Sequence, residues 1–137
     1  MYQYGEGVIQ DMSEAMKWYR KSAEQGHAAA QFQLGNVYSE GIGVTEDDVE
    51  AFKWYRLSAE QGHVVAQLQL GSMHYSGEGT VKDIVSAYAW ISIAAASGDK
   101  NAIDTLALLS KAMTRDQIAE ARELSAEIKK FPGFKIQ

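Results

Sequence analysis

EAMKWYRKSAEQGHAAAQFQLGNVYSEGIGV (residues 14–44) and EAFKWYRLSAEQGHVVAQLQLGSMHYSGEGT (residues 50–80) align position for position, with no insertion or deletion. The shift between them is 36 residues, and Trp18, Trp54 and Trp90 mark it along the chain. A decayed third copy keeps Ala87, Trp90, Ala95 and Gly98 where the second has Ala51, Trp54, Ala59 and Gly62. A fixed period of this length marks a solenoid, in which each unit buries its apolar face only against its neighbours.

Each period reads as two helices. Asp47 with Glu50 three residues later is a capping-box pattern, and Asp11 with Glu14 repeats it, so second-type helices are predicted over 47–61 and 11–25. Ala51, Trp54, Tyr55, Ser58 and Ala59 then fall on one helical face, with Lys53, Arg56 and Glu60 opposite. Gly62 ends the run. Segment 64–76 is the first helix of the following unit, with Ala66, Leu70 and Gly71 inward. Gly35 and Gly71 sit mid-helix, where glycine costs about 1 kcal/mol relative to alanine. Its recurrence at one repeat position implies a close helix–helix approach. The Gly41-x-Gly43 and Gly77-x-Gly79 pairs make short connections, which imply antiparallel neighbours.

The third unit exchanges Lys53, Arg56, Leu57 and Glu60 for Ala89, Ser92, Ile93 and Ala96. A helix that is apolar all round needs cover on a second side. Thr114 and Gln117 form another capping box, and Ile118, Ala121, Ser125 and Ile128 make a stripe along 114–130. That segment is predicted as a terminal cap, preceded by a first-type helix over 101–112. Lys129 and Lys130 suit the negative helix end, and Pro132-Gly133 stops it. The domain reading is a single solenoid over 1–137: a partial repeat (1–26), two repeats (27–62 and 63–98), and a C-terminal helix pair with its cap (99–137).

At the other end, Tyr2, Gly5 and Gly7 align with Tyr38, Gly41 and Gly43, so the chain enters the repeat halfway through. The expectation is that upstream repeats have been cut away, the alternative being a natural start that leaves the first unit unpartnered. The helix over 11–25 then lacks its first-helix partner apart from the stub at Tyr2-Gln3-Tyr4, and homodimerisation through this uncapped end is a further expectation.

The net charge of −5 argues against a nucleic-acid surface, which needs clustered Lys and Arg. No stretch reaches the roughly 18 apolar residues that span a bilayer. The absence of cysteine rules out disulfides and thiolate metal sites. No basic segment followed by an apolar one opens the sequence, so no signal peptide is expected in residues 1–137. The cytoplasm is the expected compartment, with the periplasm as the alternative if an upstream signal sequence was removed.

Candidate chemistry dissolves into packing and capping. His27 and His63 lie 36 residues apart, not at an i, i+4 ligand spacing, and Asp99 replaces them in the third unit, which points to helix capping. His74 reads as a surface or partly buried residue. Trp18, Tyr19, Trp54, Tyr55 and Trp90 read as core packing. The acidic cluster Glu46-Asp47-Asp48-Glu50 lacks the ligand alternation of a calcium loop and suits a helix N-terminus. The glycine pairs are not followed by the Lys-Ser/Thr of a phosphate loop. No cofactor or metal is expected, and no nucleophile has a base at recognisable spacing, although tertiary triads need not show in sequence.

The recurring Trp-Tyr, Ala-Glu-Gln-Gly-His, Ala-x-x-x-Leu-Gly and Gly-x-Gly-Val strings resemble Sel1-like repeats, relatives of the tetratricopeptide repeat, over residues 2–99. The stretch 116–122 also resembles endings of such arrays. The resemblance implies an all-α, right-handed superhelix of antiparallel α-hairpins that holds proteins or peptides together, with no common chemistry. In hairpin arrays the first helices line the concave side. Ala29, Phe32, Asn36 and Ser39 are the candidate contacts in one unit, and Val65, Leu68, Ser72 and Tyr75 in the next. Asp104, Leu108 and Lys111 continue the face. Phe32 and Leu68 would anchor apolar side chains or else pack between hairpins, while Asn36 and Ser72 would bond a peptide backbone. The expected function is therefore a scaffold or adaptor that binds a peptide or protein partner in this groove. The alternatives are an enzyme such as a hydrolase with a site hidden in the superhelix, or a structural terminus of a longer repeat protein.

Overall fold

A computed structural model gives the structure of the chain; it describes residues 6–130, and the side chains of 14–130. Those residues form seven helices: α1 (Glu6–Glu24), α2 (Ala28–Glu40), α3 (Asp48–Glu60), α4 (Val64–Ser76), α5 (Ile84–Ala96), α6 (Lys100–Lys111) and α7 (Arg115–Lys129). From α1 to α6 each helix packs on the next in sequence, and α7 turns back onto α5. This is the all-α solenoid of antiparallel hairpins with a terminal cap that the period implies.

Local chemistry sets the boundaries. Asp47 starts α3 by accepting the Glu50 N–H at 3.1 Å, and Asp83 starts α5 by accepting from Val85 and Ser86. The Glu50 carboxylate does not complete a reciprocal box; it pairs with Lys53 at 3.6 Å. Thr114 and Gln117 do complete one, each side chain bonded to the other's backbone N–H. Gly41 and Gly77 end α2 and α4 in the left-handed region, at φ 71° and 78°, where a side chain is strained. The chain then returns so that the Asp47 N–H meets the Tyr38 carbonyl at 2.9 Å and the Asp83 N–H meets that of His74 at 2.7 Å.

The first helix departs from expectation. It runs from Glu6 through Asp11, so Asp11 does not start it and Gly7 lies within it. Asp47 and Asp83 are held out of helical geometry by the first-type helix before them. Among the described residues α1 follows no such helix, and helix propagation then continues through Asp11. The predicted stub at Tyr2-Gln3-Tyr4 lies outside the described residues.

The mid-helix glycines mark close approaches. A Cβ on Gly35 would stand 2.6 Å from a ring carbon of Tyr55, and one on Gly71 2.5 Å from Cγ1 of Ile91. Tyr55 and Ile91 are repeat equivalents, so α3 and α5 each lay one large side chain over the preceding unit's glycine. The third unit has Ala107 at this position, and there it is exposed.

The tryptophans form a gradient instead of a uniform core. Trp90 is 4% exposed, Trp54 is half-buried, and Trp18 is 67% exposed with Tyr19 beside it at 36%. Trp54 packs on Ala23, Ala30 and Leu34. Trp90 shares a cluster with Ala59, Ala66 and Leu70, which are the same three positions one unit later. The corresponding positions for Trp18 fall outside residues 1–137.

At the other end the cap covers the apolar third unit. Ala89 and Ile93 are buried in one cluster with Ile128, against which Leu124 packs. Ala121 is buried with Ala102, and Ile118 packs on the same cluster. Ala96 remains exposed, so the cap shields the middle of α5 and not its last residue.

Candidate functional site

Among the described residues, cavities of about 270, 270 and 280 Å³ open along the array with one shared set of repeat positions in their linings. Tyr19, Tyr55 and Ile91 contribute the second-helix wall. Gln33, Gln69 and Thr105 occupy the next shared position, followed by Asn36, Ser72 and Leu108. Val37, Met73 and Leu109, then Glu40, Ser76 and Ala112, complete the register. On each first helix these are positions i, i+3, i+4 and i+7, one face of an α-helix. The row is therefore a direct product of the 36-residue period.

The chemistry changes along the row. The first cavity carries Gln33, Asn36 and Glu40, and the second Gln69, Ser76 and Glu78. The third carries Ile91, Leu108 and Leu109, with Thr105 and the Ser72 and Tyr75 side chains at its border. Adjacent units share walls: Ser39 of α2 lines the second cavity, and its equivalent Tyr75 of α4 lines the third. The Tyr55 hydroxyl donates to Asn36 Oδ1 at 2.5 Å, tying the wall of one cavity to the neighbouring one. Burial holds the Tyr55 hydroxyl above the usual tyrosine range, and the carboxylates of Glu40 and Asp48 push the same way against a hydrogen bond with Ser39. Tyr55 is thus a neutral donor in an acidic surrounding.

Of the residues singled out from sequence, Asn36, Ser39, Ser72, Tyr75 and Leu108 line this row. Phe32 and Leu68 do not. Phe32 stacks on His63 with centroids 4.6 Å apart and tilts against Tyr55 at 5.7 Å, and Leu68 packs on the cluster around α5 and α6. Both fill the joint between hairpins. Val65 and Asp104 are exposed but border none of the three cavities, as do Ala29 and Lys111. The face that lines the cavities is rotated by about one residue from the face read from the sequence, and it includes Gln33 and Gln69, which that reading did not name. Their signal was present: Gln33, Asn36 and Glu40 are polar at i, i+3 and i+7 of α2.

A second recurring pair was also missed. Gln31 and Gln67 are buried, and each Nε2 donates to a carbonyl eight residues back, Ala23 and Ala59, at 3.2 Å. Gln61 donates to Gln31 Oε1 at 2.7 Å, and Ser58 Oγ to the Ala28 carbonyl at 2.7 Å. These bonds lock consecutive hairpins and so fix the spacing of the cavities.

The histidines divide. His63 Nδ1 accepts the Ala66 N–H at 3.1 Å, and Asp99 does the same for Ala102 at 2.9 Å. His27 stands at the start of α2 without a side-chain cap bond. His74 meets the Phe52 ring edge-on at 5.3 Å, and its Nδ1 is buried without a partner. Burial lowers the pKa of both His63 and His74; for His74, Asp83 opposes this and Arg56 reinforces it. Among the described residues no group of three or more His, Cys, Asp or Glu side chains converges on a metal-sized site, and no helix is long and apolar enough to cross a membrane.

The sequence matches the Sel1 repeat model three times, at residues 1–27, 28–63 and 64–99. Among solved structures, it resembles c5321, a protective antigen present in uropathogenic Escherichia coli strains that displays an SLR fold. The two are 38% identical with a TM-score of 0.78, over 84% of this chain and 25% of that one. A Sel1 repeat protein from Oxalobacter formigenes is 41% identical with a TM-score of 0.67, over 69% of this chain and 71% of the other. None of the curated proteins matches the sequence. The chain thus spans about a quarter of the c5321 chain.

Proposed function

This chain belongs to the Sel1 repeat family, and from that premise we propose that it is a protein–protein interaction module whose row of cavities holds a peptide segment of its partner. The observation that carries this reading is the shared register. Three cavities of nearly equal volume recur on one face at one set of repeat positions. Packing alone does not require the exposed members of that set to form concavities. Periodic cavities suit a ligand that is itself periodic, and a polypeptide is one.

The graded lining specifies the ligand further. Glu40 and Glu78 border the first two cavities, and Asp48 acts on the same Tyr55 as Glu40. A basic side chain is complementary there. Leu108 and Leu109 offer the third cavity an apolar side chain. The partner segment therefore combines Lys or Arg at one end with a bulky apolar residue at the other. With so short a groove the affinity is roughly micromolar, about −8 kcal/mol. The enzyme alternative gains no support from the histidines, since the His63 Nδ1 lone pair is already committed to Ala66.

A peptide-display selection against the purified chain tests this. The expected peptides share the basic-then-apolar pattern, and Leu108→Glu weakens them at least about tenfold by fluorescence anisotropy, a loss of ~1.4 kcal/mol. Leu108 is 66% exposed, so the fold survives the change. Selected peptides that bind Leu108→Glu as well as the parent would place the contact elsewhere and end this reading.

A further inference from the structure

The repeat contains a knob and a socket. The knob is the tryptophan of the second-type helix, and the socket is the alanine–alanine–leucine set of the hairpin before it. Trp54 fills the socket of Ala23, Ala30 and Leu34. Trp90 shares its cluster with the socket of Ala59, Ala66 and Leu70. Beside each knob the following residue, Tyr55 or Ile91, covers the glycine directly after the socket leucine: Gly35 or Gly71.

Trp18 and Tyr19 are the same pair of knobs with no socket among the described residues. Trp18 is 67% exposed, and the Lys21 ammonium 6.0 Å from its ring centroid is the contact it makes with a charged neighbour. From this we infer that the outer side of α1, led by Trp18 and Tyr19, is a docking surface for a helical hairpin that carries an Ala/Ala-x-x-x-Leu-Gly socket.

Two interfaces of the same design within the molecule favour that occupant. A second copy of this chain is a poorer fit, because it has no vacant socket to offer. Its first two are filled by Trp54 and Trp90. The third, Ala95, Ala102 and Leu106, lies in one cluster with Ile118 and Ala121 of the cap. The cap stands where a fourth tryptophan would, which also prevents head-to-tail polymerisation of the chain. The C-terminal end is thus closed, while the N-terminal end keeps the geometry of a joint.

The test joins a copy of residues 11–37 in phase ahead of Tyr2 of the full chain, replacing Met1, with Trp18→Ala in the added copy. Its alanines, leucine and glycine then stand in the socket positions for the native Trp18. Acrylamide quenching of the native Trp18, read by difference against Trp18→Phe, is expected to fall to the level of the buried tryptophans. The melting midpoint should rise by about 5 °C or more. Both gains should vanish with Ala30→Glu in the added copy. Unchanged quenching with the intact hairpin overturns the inference, as does equal protection by the Ala30→Glu hairpin. So does sedimentation of the unextended chain as a dimer that Trp18→Ala dissociates, since a second copy is then the occupant. None of these readouts involves the cavity row, so the two proposals stand or fall separately.

Discussion

Trp18 and Trp90 are the same residue at the same phase of the repeat, one at the open end of the array and one beneath its cap. Their exposures are 67% and 4%. The side chain and its phase in the repeat are equivalent, although α1 begins earlier in its repeat than α5 does, so the difference follows the neighbours. In a solenoid the preceding unit supplies the partner surface, and burial is a property of the pair and not of the residue. This sets the order of a substitution series. Trp90→Ala should cost about 3–5 kcal/mol, the range for emptying a large aromatic site. Trp54→Ala should cost less, since Trp54 is half-buried and its Nε1 is buried without a hydrogen-bond partner. Trp18→Ala should stay within about 0.5 kcal/mol, as surface changes do. Urea unfolding of the three variants is the measurement. Equal losses at all three positions would show that some unseen contact covers Trp18 and would break the comparison.

The parts of the fold that depend on one helix at a time were legible in the sequence. The segment predicted over 64–76 is α4, and the glycines at 35 and 71 are the close approaches they implied. What depends on a neighbour was harder to read. Trp18 was assigned to the core because its copies are core, although the socket that buries them lies one unit upstream. Phe32, which the sequence leaves as either a groove anchor or hairpin packing, takes the packing role and lies one residue away from the cavity row. A helix turns by about 100° per residue, so a misplacement of one position exchanges the hairpin joint for the cavity row. Nothing in the sequence marks Gln31 and Gln67 as buried, since their partners are carbonyls of the preceding helix. Only the packed hairpin reveals the carbonyls that they satisfy.

A second contrast, between the middle of the array and its capped end, predicts a smaller effect. Gly35 and Gly71 lie beneath Tyr55 and Ile91, while Ala107 at the same phase is exposed. For an isolated helix Gly71→Ala would be stabilising by about 1 kcal/mol. Here the new methyl would meet Ile91 Cγ1 at 2.5 Å and the Ala87 carbonyl oxygen at 3.2 Å. Overpacking of this kind costs about 1–3 kcal/mol, so the net change should be a loss of up to about 2 kcal/mol. Ala107→Gly should also destabilise, by about 1 kcal/mol, because only the propensity term acts there. Glycine is thus favoured at one position and disfavoured at its copy, which melting curves for both variants would register. A stabilising Gly71→Ala would mean that the hairpins can slide apart at no cost.

The smallest predicted effect comes from the histidines, and the same lesson applies to them. His27 and His63 begin equivalent helices, but among the described residues His63 alone has a preceding aromatic, Phe32, stacked against its ring and accepts a helix N–H. That bond needs the lone pair on Nδ1, so it exists only with a neutral ring. Burial lowers the His63 pKa from the ordinary histidine value, and His74 is shifted the same way by burial and by Arg56, against Asp83. Above pH of about 7 both folded and unfolded chains hold these rings neutral, and the full stability is present. As pH falls below about 6.5 the unfolded chain takes up protons first, so stability declines until the folded rings are protonated as well. The part owed to His63 is bounded by the worth of a helix cap, about 1 kcal/mol. His63→Asp separates it from the rest. Aspartate caps the equivalent helix at Asp99 and stays ionised through this window. The variant should match or exceed the parent at pH 7.5 and lose less than the parent by pH 5.5, with His74 supplying the slope that remains. A parent and a His63→Asp variant with identical pH profiles would show that Phe32 and the Ala66 N–H do not distinguish His63 from His27 in solution.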